Sequence, residues 1–139
     1  MYVLGIPLLI IPFAIYNIVA FIMSAPDTIW TTEAASIRMT SGQVWTLTWE
    51  DIIVAGSIIL LWVEVIKSTR IGVRAIVEHV LSMLLFVGML VEFLLVKAAG
   101  TSTFFLLLII SMVDVLAGFI ISIRSSQRQV EVESPERTI

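Results

Sequence analysis

The sequence predicts an all-α fold: an antiparallel four-helix transmembrane bundle with a short extracytoplasmic β-hairpin-like loop. Three observations carry that expectation. First, 59% of the 139 residues are hydrophobic and only 14% are charged, with a mean hydropathy of +1.07. A soluble globular domain is roughly 45–50% apolar and about 25% charged. Second, the apolar residues fall in runs, over 2–23, 52–66, 75–96 and 103–123, interrupted by Glu64, Glu78, His79, Glu92 and Asp114. A hydrocarbon core about 30 Å thick takes about 20 helical residues rising about 1.5 Å each. Third, the basic residues are distributed unevenly between the connections, as orientation in a bilayer requires.

The first run, "YVLGIPLLIIPFAIYNIVAFIM", carries no charge and predicts a helix over about 2–23. It lacks the basic n-region of a signal peptide and its apolar stretch is too long for one, so a retained helix is expected. Pro7 and Pro12 fall within it and are tolerable in a membrane helix if neighbours satisfy the freed carbonyls. The connection 24–50 contains "SIRMTSGQVWTLTW", in which Trp45, Leu47 and Trp49 alternate with Thr46 and Thr48 after Ser41-Gly42. This is a hairpin pattern, with a two-residue turn placing Gly42 at positive φ. Trp30, Trp45 and Trp49 are expected to anchor in the headgroup region, where amphipathic rings are favoured. A cap that docks a ligand or partner is the alternative.

The second helix is expected over about 51–67, the third over 74–96 and the fourth over 102–124, within one domain spanning 1–128. The middle connection holds Lys67, Arg70 and Arg74, and the tail holds Arg124, Arg128 and Arg137. The connections 24–50 and 97–102 hold only Arg38 and Lys97. Both termini and the middle connection are therefore expected in the cytoplasm. The tail 129–139 alternates in charge and contains Pro135, so it is expected to be mobile or docked on a partner.

Polar residues in hydrocarbon need partners, so their helical faces matter. In "SMVDVLAGFIISIR", Asp114 shares a face with Ser111, Gly118 and Ser122 at steps of three and four. Gly118 and Ser122 also permit close helix packing. The third helix places Glu78, Ser82 and Glu92 on one face with His79 beside it, and the second offers Ser57 and Glu64. An ionised acid near the bilayer centre costs about 2.5–3.5 kcal/mol on insertion scales. Asp114 is thus expected to face a buried polar seam, in a file running from Glu92 through Asp114 to Glu64 and His79. Local partners are available for the other acids: Lys67 for Glu64, Arg74 for Glu78 and Lys97 for Glu92. Asp114 has none, and Ser57, Ser82 or a backbone carbonyl is expected to hold it.

Several chemistries are excluded. The chain has no cysteine, which removes disulfides, thiolate ligands and cysteine nucleophiles. Glu78 and His79 are adjacent and point about 100° apart, and no Glu-x-x-His pair offers a bundle metal site. No triad, phosphate loop or nucleophile elbow is present, and no basic block suggests nucleic acid. Neither an enzyme nor a bound cofactor or metal is expected.

The segments "VEHVLSMLLF" (77–86), "LVEFLLV" (90–96) and "STFFLLLIISMVDVLAGFIISIRSSQR" (102–128) resemble a family of small, uncharacterised four-helix inner-membrane proteins of alphaproteobacteria. "WVEVIK" and the basic middle connection also resemble the phosphate-starvation-inducible E family. Trp62, Glu64 and Lys67 further resemble the second helix of voltage-sensor domains, but no arginine ladder precedes Arg124, which argues against voltage sensing. The resemblance implies a bacterial inner-membrane location and supplies no reaction or substrate. The expected role is an accessory or structural component of a larger or homo-oligomeric membrane complex, with lipid and other membrane subunits as partners. A proton or cation channel or coupled carrier using Asp114, Glu64, Glu92 and His79 is the alternative.

Overall fold

The computed structural model describes residues 5–23, 26–70 and 72–132. The chain is mostly helical. Helix α1 (Ile10–Ile22) and a single turn α2 (Pro26–Ile29) precede a hairpin of β1 (Glu33–Arg38) and β2 (Val44–Thr48). Helices α3 (Trp49–Ser68) and α4 (Val73–Leu95), a 3₁₀ turn (Lys97–Ala99) and α5 (Ser102–Val132) follow. α5 makes its main helix contacts with α3 and α4, and α1 packs against both α3 and α5.

Two of the four expected spans, α4 and the Ser102–Arg128 part of α5, are long and apolar enough to cross a membrane. The first element corrects the expectation of a helix over 2–23. α1 is 13 residues long, about 20 Å, well short of a hydrocarbon core. Its start follows from proline. With the helix beginning at Ile10, Pro12 lies in the first turn, where its missing N–H is one the helix leaves unbonded anyway. Residues 2–4 of the expected span lie outside the described residues. α3 has the length but includes Glu50, Asp51, Glu64 and Lys67, so the uncharged stretch between Asp51 and Glu64 is too short to span alone.

α5 runs past the expected end at 124. Residues 125–132 contain neither glycine nor proline, so nothing in the backbone halts the helix. The tail expected to begin at 129 is therefore helical through Val132; its remainder, 133–139, lies outside the described residues.

The hairpin forms as predicted, pairing Ile37 with Trp45 and Ala35 with Leu47. Its loop differs in length. Gly42 donates to Met39 O at 2.9 Å and Met39 N–H to Gln43 O at 2.8 Å, so Thr40, Ser41 and Gly42 form a three-residue loop. Gly42 does take a positive φ of 87°, the conformation that glycine adopts without steric cost. At its base Thr48 and Asp51 close a reciprocal capping box on α3, and Glu50 N–H donates to Trp30 O at 2.9 Å.

The apolar core gathers where the hairpin joins the bundle. Tyr16, fully buried, stacks on Trp30 with centroids 5.2 Å apart and meets Phe104 edge-on at 4.9 Å. Trp30, 4% exposed, is thus a core residue and not the interfacial anchor expected of it, because Tyr16 offers its ring a flat partner. Trp45 and Trp49 are exposed. The Tyr16 hydroxyl lies 2.8 Å from Ala98 O, to which it donates, and 2.6 Å from Thr101 Oγ1. It therefore pins α1 to the start of α5. Tyr16→Phe is expected to lower stability by roughly 1 kcal/mol, the net worth of such a bond, in thermal denaturation in detergent.

Candidate functional site

Below the aromatic core, on the side of the α3–α4 connection, the interior becomes polar. The α5 face predicted from spacing is real: Ser111, Asp114 and Gly118 are all buried, and Asp114 is 6% exposed. The neighbours acting on Asp114 are Ser82 and the basic groups of His79 and Lys67. Asp114 therefore turns into the protein, toward α3 and α4. Ser57 is not among those neighbours. Its hydroxyl donates to Ile53 O, one turn back on its own helix, at 2.6 Å.

Glu64 comes to the same place from α3, but its principal partners lie elsewhere. Its Oε2 accepts the backbone N–H of Leu8 at 2.8 Å and of Leu9 at 3.3 Å. Leu9 is the residue before α1, and no side chain within α1 or its cap serves those amides. A carboxylate on α3 thus caps a helix 55 residues earlier in the chain. The pattern of apolar spacing contained no signal for this. The proline-determined start of α1 is the one feature that places free N–H groups at that depth.

Lys67 is 8% exposed, and its ammonium nitrogen is buried without a hydrogen-bond partner. It acts electrostatically on both Glu64 and Asp114. Sequence spacing put Lys67 at the interface as a partner for Glu64; the structure draws it inward as the central cation of the cluster. The expected pairs Glu64–Lys67, Glu78–Arg74 and Glu92–Lys97 do not close within salt-bridge distance among the described residues. His79 packs its ring over Gly118, whose absent side chain makes the room: a Cβ there would lie 2.6 Å from His79 Nδ1. His79 Nε2 is buried and unbonded.

Between these groups lies a cavity of about 30 Å³ lined by Glu64, Glu78, His79, Ser82 and Asp114 with Ser68, Ala75, Gly118 and Ser122. That volume and lining suit one or two waters. Ser68, Ala75 and Ser122 also line a larger cleft of about 230 Å³ that includes Arg70, Ser125 and Ser126. Ser122 is accordingly exposed at the mouth rather than packed, and its hydroxyl donates to Gly118 O at 2.8 Å.

Glu92 does not join this cluster. Asn17 Nδ2 donates to its Oε2 at 3.4 Å and to Phe13 O at 3.1 Å. Ten residues of α4, about 15 Å, separate Glu92 from Ser82, and Met89, 2% exposed, fills the interval. The expected file is therefore broken between Asp114 and Glu92. Among the described residues no group of three acidic or histidine side chains could hold a metal.

Comparison with known protein families, curated proteins and solved structures finds no match to this chain.

The contact of His79 with Gly118 yields a direct test. Gly118→Ala gains about 1 kcal/mol of helix propensity and overpacks the His79 site at about 1–3 kcal/mol. A net loss of up to about 2 kcal/mol is expected in thermal denaturation, and His79→Ala in that background should restore stability.

Proposed function

We propose that this chain is a non-catalytic, multi-pass protein of the bacterial inner membrane, acting as an accessory or structural component of a larger or homo-oligomeric assembly. α4 and α5 cross the bilayer, with the α3–α4 connection and the C-terminal extension of α5 on the cytoplasmic side in accord with their basic residues. α3 crosses beside them. Its composition makes it a poor span, but Glu64 and Lys67 are buried against the bundle, so lipid meets its apolar residues instead. Ile58, Ile59, Trp62 and Ile66 are all exposed. α1 packs alongside without crossing fully.

The observation that carries this reading is the division of the interior. Among the described residues, a polar half gives way to a buried layer of Tyr16, Trp30, Phe104 and Met89, which interrupts the polar groups along a single copy. Meanwhile α4 presents Val80, Leu84, Val87 and Val91 outward along its length, an uninterrupted apolar surface for lipid or another helix. Native mass in mild detergent is expected to exceed that of one chain, through a stoichiometric partner or further copies. A monomeric particle retaining no partner from native membranes would refute the accessory role.

A second reading, proton or cation transfer, is favoured by the cavity beside Asp114 and His79. Proteoliposome flux comparing wild type with Asp114→Asn discriminates the two. The accessory role predicts no proton flux above empty vesicles in either protein, whereas transfer predicts wild-type flux that falls at least about tenfold in the variant.

A further inference from the structure

We propose that Glu64 is a proton-binding site, reached from the end of the bundle that carries the α3–α4 connection, and that its occupancy sets whether the start of α1 is docked. The inference is independent of the accessory role, since it concerns a contact inside one chain.

The geometry is that of a latch. One carboxylate oxygen, Glu64 Oε2, receives both Leu8 and Leu9 N–H. The first turn of α1 contains no acidic residue and its N-cap, Leu9, supplies no side-chain acceptor. The free amides and the positive end of the helix therefore rely on a group from α3. An ionised carboxylate only accepts hydrogen bonds, and its charge complements the helix end. Protonation converts one oxygen to a donor and removes the charge. The tie is consequently complete when Glu64 is ionised and weakens as pH falls and the proton binds. Separation of α1 need not be complete, because Tyr16 and Asn17 hold its far end.

Protons have a route to the site. The cavity lined by Glu64 and Asp114 shares Ser68, Ala75 and Ser122 with the larger cleft beside Arg70. The charged and titratable groups facing Glu64 come from three helices. Lys67 stands on its own helix, Asp114 on α5, and Glu78 and His79 on α4 across the cavity. α1 contributes only backbone donors there.

Hydrogen exchange of the full chain in detergent or nanodiscs reads the latch directly, with amides of Leu8–Phe13 compared with those of Ala20–Ile22 at each pH to cancel the intrinsic pH dependence. Between about pH 8 and about pH 5 the wild-type ratio is expected to show a loss of protection at Leu8–Phe13 of at least about tenfold. In Glu64→Gln, which keeps an acceptor oxygen but binds no proton in this range, the ratio should not change with pH. Glu64→Ala should leave these amides unprotected throughout. A wild-type ratio indifferent to pH, or a pH dependence that persists in Glu64→Gln, would overturn the proposal even if the protein remains in the membrane fraction.

Discussion

The structure depends on a costly constraint: a polar group carried into its apolar interior forfeits water and gains most from a partner elsewhere in the chain. Glu64 shows how this organises the fold. Removing a carboxylate from water without compensation costs several kcal/mol, and free amides at a buried helix start carry their own penalty. Placing one against the other resolves both, and in doing so it specifies where α1 sits along α3. Few apolar contacts could set that register so narrowly, because sliding a smooth leucine and isoleucine surface changes little.

The same requirement divides the molecule into two layers. Tyr16, Trp30 and Phe104 form a layer in which rings satisfy one another by stacking and edge contacts, and the hydroxyl of Tyr16 is matched to the start of α5. Glu64, His79 and Asp114 line a small cavity in the other, and Lys67 is buried near them. Gly118 is the point of contact at which the second layer is assembled, since only a residue without a side chain lets His79 lie against α5.

A buried cluster of this kind is weak evidence for stability by itself, because desolvation offsets most of the attraction between the charges. Its persistence is better understood through what it constrains. The cluster brings α3, α4 and α5 together at one level and reaches the start of α1 through Glu64. The layer on the other side is mostly aromatic.

Much of this was legible from residue order alone. Composition and the spacing of apolar runs marked α4 and α5 as membrane-length helices, and the three-and-four spacing of Ser111, Asp114 and Gly118 identified the buried face of α5, because helical periodicity is a local property. The alternation of Trp45, Leu47 and Trp49 likewise announced the hairpin, and Gly42 its turn. What residue order could not settle was which distant groups meet. Trp30 reads as an interfacial anchor until Tyr16 is beside it, and Lys67 as a surface cation until α5 covers it. The proline in α1 shortened a helix that hydropathy would have extended, and the amides thereby freed found Glu64 more than fifty residues away. Local spacing determines which face of a helix is polar; only the packing of helices against one another assigns each polar group its partner, since that choice is made by proximity in space.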